Sequence, residues 1–358
     1  MSHSYEHGGN LFSLARQRGF SPADSIDFSA SINPLGISPR VREAITQALD
    51  SLVHYPDNDC GELRQTLSQV HGVPPEYFAI ANGSTETIYN LPSLLPGKSA
   101  LIVSPSFSEY AYALLQHHCE VRHLILSPSD NFSLDLGTLA NALAEDYDAL
   151  YLCNPGNPSG TLYPRELVEQ VYALCKDTDT FLVLDEAFMD FCEQASAKDI
   201  IIASDHGIVL RSMTKFYGIP GLRLGYAMAA PSLIERLTSM GGPWSVNTLA
   251  QVAGIAALND GEYARRSVEY VTELRQALGQ ALSDFPQLTV YPSSANFLLV
   301  ELDATITSSE LKERLVEKQI LIRDCSSFAG LSNRFFRVAV RTEAENARLL
   351  ECLGEILA

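Results

Sequence analysis

Six lysines stand in the 358-residue chain, and five occupy ordinary settings. Lys98 sits in a Pro-Gly-Lys turn, Lys176 ends a helical pattern, Lys198 lies in a polar loop, and Lys312 and Lys318 ride an amphipathic stretch. Lys215 differs. It follows the apolar run Ile208-Val209-Leu210 and is flanked by hydroxyls, an aromatic pair and a glycine turn, in Arg211-Ser212-Met213-Thr214-Lys215-Phe216-Tyr217-Gly218. A lysine past the carboxyl end of a sheet strand stands where open α/β sheets bind ligands. Desolvation or a nearby cation turns its amine into a nucleophile. A plain loop lysine is the alternative.

Three more clusters end apolar runs. Phe181-Leu182-Val183-Leu184 runs into Asp185-Glu186, two acids able to hold a metal or a protonated ring nitrogen, or to cap a helix. Asn154-Pro155-Gly156-Asn157-Pro158-Ser159-Gly160 is a tight loop in which Asn157 can aim an amide at a ligand. Asn82-Gly83-Ser84-Thr85-Glu86 opens a helix, where exposed N–H groups and hydroxyls cradle an anion; a simple capping box has the same appearance.

The elements that must position these residues alternate between strand and helix. Apolar runs of strand length lie at Phe78–Ala81, Ala100–Ser104, Ala149–Cys153, Phe181–Leu184, Ile208–Leu210 and Leu224–Ala227. Leu167, Val171, Leu174 and Cys175 form one helical stripe between them. This pattern predicts an α/β fold, a mostly parallel central sheet with helices on both faces. Beyond residue 245, Leu249 to Phe285 is rich in helix formers with a break at Asn259-Asp260-Gly261. Strand candidates Thr289–Tyr291, Phe297–Glu301, Ile320–Arg323 and Phe335–Val340 then interleave with helices over Ser308–Lys318 and Glu343–Leu357, a smaller α+β C-terminal domain. The expected division is an N-terminal arm (1–45) packing on the small domain, a large domain (46–262) and the small domain (263–358).

Composition narrows the partners. Lys and Arg total 25 against 43 Asp and Glu, a formal net charge of −18, and no basic cluster is present to track a phosphate backbone. A nucleic-acid partner is not expected. No run approaches the roughly 18 apolar residues of a membrane span, and the N-terminus lacks the basic and apolar blocks of a secretory signal. The expectation is a soluble cytoplasmic enzyme without a membrane partner. Seven Cys, an odd number with no Cys-x-x-Cys, argue against a metal site or a disulfide framework. No Gly-x-Gly-x-x-Gly follows the early strands, which disfavours a nicotinamide enzyme.

Taken in order, the cradle at 82–86, Phe107 after Pro105-Ser106, the Asn157 loop, Asp185, Ser212-x-Thr214-Lys215 and Arg223 resemble the fold-type I pyridoxal-phosphate enzymes. The branch is the aminotransferase-like one that includes histidinol-phosphate aminotransferase. The stretch from Asp-Glu-Ala-Phe at 185 through Gly-Leu-Arg-Leu-Gly-Tyr at 226 is the most specific part. The resemblance implies pyridoxal 5′-phosphate as cofactor, held covalently by Lys215, which then serves as general acid and base. It implies that Asp185 keeps the pyridine nitrogen protonated, that Asn157 bonds the ring hydroxyl, and that Phe107 stacks on the ring. Gly83, Ser84, Thr85, Ser212, Thr214 and Arg223 should hold the cofactor phosphate. Phe188 stands where family members with Asp-Glu-Ala-Tyr supply a second bond to the ring. Tyr55, in His54-Tyr55-Pro56, matches a tyrosine that reaches the partner subunit's phosphate, which implies a homodimer.

Three local features, His7-Gly8-Gly9-Asn10, Pro243-Trp244-Ser245-Val246-Asn247 and Arg341 after Arg334–Val340, are similar to members that remove CO2 from L-threonine O-3-phosphate for cobalamin synthesis rather than transfer the amino group. Arg337 matches the carboxylate-binding arginine and Arg323 the substrate-phosphate arginine. His7, Asn10 and Asn33 are candidates to complete the site for a small phosphorylated amino acid. The alternatives are a histidinol-phosphate-type aminotransferase, a decarboxylase of L-serine O-phosphate, or a regulatory module that binds cofactor without catalysis. The serine compound differs by one methyl, which a pocket discriminates by only about 1–3 kcal/mol.

Overall fold

A computed structural model describes residues 8–95, 97–303 and 305–358. Thirteen strands are present among them. They are β1 (Ile26–Asp27), β2 (Phe78–Ala81), β3 (Ser99–Ser104), β4 (Glu120–Ile125), β5 (Ala149–Cys153), β6 (Phe181–Asp185), β7 (Gly207–Ser212), β8 (Gly225–Ala229), β9 (Leu288–Val290), β10 (Phe297–Leu302), β11 (Ile320–Leu321), β12 (Arg323–Asp324) and β13 (Phe335–Ala339).

Seven of these strands form one sheet in the order β2-β8-β7-β6-β5-β3-β4. The β4, β3, β5, β6 and β7 strands run parallel, whereas β8 is antiparallel to both neighbours. Strands β5, β7 and β8 are buried at every residue because apolar side chains leave both faces. Alternation separates two cores: Leu150, Leu152, Leu182, Leu184, Val209 and Met228 pack on one face. Tyr151, Val183, Ile208, Leu210 and Ala227 pack on the other. Strand β4 is absent from the apolar pattern of the sequence. It is the sheet edge, its Glu120, Arg122 and His123 are exposed, and charge blunts an edge against unwanted pairing.

A second sheet, β12-β13-β10-β9, is antiparallel throughout. Helices Ser308–Glu317 and Glu343–Leu357 cover it through Leu311, Leu315, Leu349 and Leu353, each helix opened by a capping box. The run expected over Ile320–Arg323 is two short strands. Strand β1 pairs in parallel with β11, Ile26 opposite Ile320, and the chain then shifts to β13 as β12. The break near Asn259-Gly261 separates helices Thr248–Leu258 and Gly261–Ser283, the second capped by Asp260. A helix at Leu11–Arg18 adds to the expected arm. All seven cysteines are free and buried. Among the described residues no helix is long and apolar enough to cross a membrane.

Candidate active site

Because β3, β5, β6 and β7 are parallel, their carboxyl ends meet at one edge of the sheet. Phe107 follows β3, Asn157 follows β5, Asp185 ends β6, and Ser212 ends β7 ahead of the one-turn helix that carries Lys215. Helix Ser84–Asn90 starts after β2 and presents Ser84 and Thr85. The second sheet supplies Arg323 from β12 and Arg337 from β13. These nine residues line one cavity of about 210 Å3, together with Gly8, Ser29–Ile32, Tyr110, Phe188 and Phe328 among others.

Strand alternation decides between the two acids of the Asp185-Glu186 pair. Asp185 faces the cavity, where its Oδ2 accepts from the Tyr110 hydroxyl at 2.5 Å and its Oδ1 from the Ala187 N–H at 2.9 Å. Burial raises the Asp185 carboxyl above its ordinary range; the Tyr110 bond, the Ala187 bond and the Lys215 charge act against that rise. Glu186 turns to the opposite face and is fully buried. It pairs with Arg211 at 2.7 Å and accepts from Ser196 Oγ, and Arg211 also reaches Glu193 at 2.6 Å. Glu186 is a structural counter-ion.

Burial, with the charges of Arg223 and Arg337 acting in the same sense, lowers Lys215 Nζ to about 8. Its Nζ donates to Thr214 Oγ1 at 3.3 Å, and Thr214 is in turn 2.8 Å from Ser212 Oγ. Thr214 is buried outside the cavity lining. Gly83 has φ +79°, which a side chain would strain, and a Cβ there would stand 2.5 Å from Arg223 Nη2, so the guanidinium would have to shift from the helix start. Arg223 itself is exposed and outside the lining.

Arg323 and Arg337 are direct cross-strand partners in the β12–β13 register. Each lies over an aromatic face, Arg323 over Phe328 at 5.2 Å and Arg337 over Phe297 at 4.8 Å. Arg337 donates to Asn157 Oδ1 and, at 3.0 Å, to the Ser29 carbonyl, both neutral acceptors. Burial lowers Arg337 to about 10, and the neighbouring Arg323 charge acts in the same direction. Phe188 packs edge-on against Phe297, 5.0 Å between centroids, and brings no hydroxyl to the site.

The remaining expected residues stand apart. Asn33 is buried, but its amide donates to the Phe216 carbonyl and Ser267 Oγ and accepts from the Leu35 N–H. Its own N–H donates to the Lys215 carbonyl, so Asn33 fixes the lysine turn and does not line the cavity. Asn10 is exposed at the start of helix Leu11–Arg18 and outside the lining. Tyr55 is 78% exposed and stacks on Trp244 at 4.5 Å, away from its own chain's cavity. His7 lies outside the described residues. Tyr110 and Ser31 escaped the sequence reading. An aromatic three residues after Phe107 at a helix start was the only signal for the first, and the second had none.

The Aminotransferase class I and II family model matches residues 23–353. The chain is 41% identical over 353 residues to a threonine-phosphate decarboxylase of Salmonella typhimurium, covering 98% of this chain and 96% of that protein. It superposes on L-threonine-O-3-phosphate decarboxylase from Porphyromonas gingivalis with a TM-score of 0.82 and 30% identity, covering 93% of this chain and 99% of the other. For histidinol-phosphate aminotransferase from Sinorhizobium meliloti in complex with pyridoxal-5′-phosphate the TM-score is 0.88 at 26% identity, covering 99% and 95%.

Proposed function

The chain belongs to the aminotransferase class I and II family, and on that premise we propose that it decarboxylates L-threonine O-3-phosphate. The product is (R)-1-amino-2-propanol O-2-phosphate, for cobalamin biosynthesis. The observation that carries the reading is the likeness to the Salmonella decarboxylase along nearly the whole length of both chains.

The enzyme uses pyridoxal 5′-phosphate, and the cavity fits it. The amine of Lys215 is lowered to about 8, a buried carboxylate is held at Asp185, Phe107 offers a flat wall, and Ser84 and Thr85 open a helix beside Gly83. Bound there, the cofactor supplies an electron sink for the pair released when CO2 departs. Lys215 would hold it covalently through Nζ, and the same Nζ, when free, would carry the proton that replaces CO2 at the substrate's Cα. Asp185 keeps the ring nitrogen protonated, and a cation beside it reverses the rise that burial imposes on a carboxyl. Asn157 accepts from Arg337 at Oδ1, which leaves Nδ2 as the donor that would reach the ring oxygen. Ser84, Thr85, Ser212, Thr214 and Arg223 serve the cofactor phosphate.

Arg337 takes the substrate carboxylate and Arg323 the phosphate. Removal of CO2 would require the bond from Cα to the carboxylate, and not the Cα–H bond, to be the one presented to the electron sink. A clamp at each end of the substrate sets that orientation. The N-terminal arm, through Gly8 and Ser29–Ile32, lines part of the cavity. The working unit is a homodimer in the cytoplasm. An exposed apolar surface at Leu49, Leu52, Val53, Tyr55 and Trp244 supports the dimer, with Tyr55 serving the partner's cofactor phosphate. Seven unpaired thiols support a reducing compartment.

The test is to incubate protein and cofactor with L-threonine O-3-phosphate, and separately with histidinol phosphate plus 2-oxoglutarate. CO2 from the first and no glutamate from the second is expected. Glutamate without CO2 would make the protein an aminotransferase.

A further inference from the structure

Lys215 is carried by a helix of a single turn, Met213–Phe216. One turn fixes several dihedrals for one hydrogen bond and has little stability of its own. Its final carbonyls also find no partner further along the chain. In a continuing helix the Lys215 carbonyl would accept from residue 219 and the Phe216 carbonyl from residue 220. The Ile219 N–H goes instead to the Thr214 carbonyl at 3.2 Å, and Pro220 has no N–H to give.

Both carbonyls are taken by distant segments. The Asn33 N–H donates to the Lys215 carbonyl at 3.0 Å. Asn33 Nδ2 donates to the Phe216 carbonyl at 2.7 Å and to Ser267 Oγ at 2.8 Å. The Tyr263 hydroxyl donates to the Gly36 carbonyl at 2.6 Å, with the Phe216 carbonyl at 3.4 Å. The two backbones pack so closely that a Cβ on Gly218 would stand 2.7 Å from the Gly36 carbonyl carbon. Asn33 is 2% exposed and Ser267 fully buried, one turn before the core residue Val271 on helix Gly261–Ser283. Asn33, Tyr263 and Ser267 all lie outside the cavity lining, so whatever they do for the site they do through Lys215.

We propose that Asn33, held by Ser267 and Tyr263, is a positioning residue for Lys215: it caps the lysine turn from outside and so fixes where Nζ meets the cofactor. The inference rests on Lys215 as the attachment residue and is independent of which substrate is used. Attachment joins the neutral Nζ to the aldehyde carbon of pyridoxal 5′-phosphate and expels the aldehyde oxygen as water, with no change of oxidation state. Misplacing one reacting atom by about 1 Å can cost about a hundredfold in rate. Contacts to the cofactor's ring and phosphate come from other residues, so they are expected to survive a displaced lysine.

The experiment compares wild type with Asn33→Ala as cofactor-free full-length protein, at a pH where the amine is neutral. The rate of covalent attachment of pyridoxal 5′-phosphate, followed by absorbance, should fall roughly ten- to hundredfold. Affinity for pyridoxine 5′-phosphate, which keeps the ring and phosphate and has an alcohol in place of the aldehyde, should stay within about twofold. Tyr263→Phe removes one neutral hydrogen bond and keeps the ring; it should slow attachment by roughly two- to tenfold with the same unchanged affinity, and it carries the test if Asn33→Ala does not fold. Attachment at the wild-type rate, or a matching loss of affinity for pyridoxine 5′-phosphate, overturns the proposal and leaves Asn33 as packing. Borohydride labelling of another lysine in the wild type would fail a different claim, the identity of the attachment residue, before Asn33 is compared at all.

Discussion

Tyr110→Phe removes one hydroxyl from the structure and keeps the ring that packs beside Tyr151 and Phe107. The lost bond is the 2.5 Å contact to Asp185 Oδ2, with the tyrosine 1% exposed and the aspartate 4% exposed. A hydrogen bond to a charged group is worth about 1.5–3 kcal/mol. Its loss moves the Asp185 carboxyl further up. Burial already pushes this carboxyl up, and only the ionised form can hold a proton on the ring nitrogen. We therefore expect kcat to fall roughly 10- to 100-fold. The acid limb of the kcat profile should move to higher pH, because more base is needed to ionise Asp185. CO2 release measured between pH 5.5 and 9 gives both quantities. The cycle with Asp185→Asn, itself expected to retain cofactor and lose most turnover, isolates the route. If Tyr110 acts through Asp185, adding Tyr110→Phe to Asp185→Asn costs little more. An equal loss in both backgrounds refutes the reasoning and makes Tyr110 a packing residue.

The pH dependence of cofactor attachment follows from Lys215. Its Nζ is lowered to about 8, so the neutral nucleophile is half formed at pH 8 and falls about tenfold per unit below it. The attachment rate to cofactor-free enzyme, followed by absorbance, should rise with pH and level off above about 8; a rate still rising steeply at pH 10 would contradict this. Borohydride reduction and peptide mapping should place the cofactor on Lys215. Arg323→Ala should raise KM for the phosphorylated substrate steeply, by a factor equivalent to about 2–5 kcal/mol, with little change for unphosphorylated L-threonine. Arg337→Ala should depress kcat as well and let slow transamination appear as released keto product; equal losses on both substrates in both variants would make the arginines structural. Arg211→Met strands Glu186 without its counter-ion in a fully buried site and should destabilise by about 3–5 kcal/mol in denaturant unfolding, whereas Arg211→Met with Glu186→Met recovers most of it.

Much of this molecule is written locally. Strands buried on both faces must be continuous apolar runs, and β2 and β5 begin and end where the runs do. The edge strand β4 is invisible by the same rule, since half of its environment is water. Lys215 stands out because it alone among six lysines follows such a strand, and Asp185 because it ends one. The Asp185-Glu186 pair shows the limit. Both acids are adjacent and chemically alike, and only strand alternation in an assembled sheet sends one to the cavity and the other to Arg211. Asn33 shows the same limit from the other side. It was a candidate to complete the substrate site, and its amide is taken up by Phe216, Ser267 and Leu35, the farthest of them 234 residues away. Ser31 and the Arg323–Arg337 register have no local signature, and Tyr110 has only its place three residues after Phe107 at a helix start. Hydrogen-bond partners and cross-strand neighbours are set by distance in space, and a side chain's type and its place in the chain carry no record of what will fold against it.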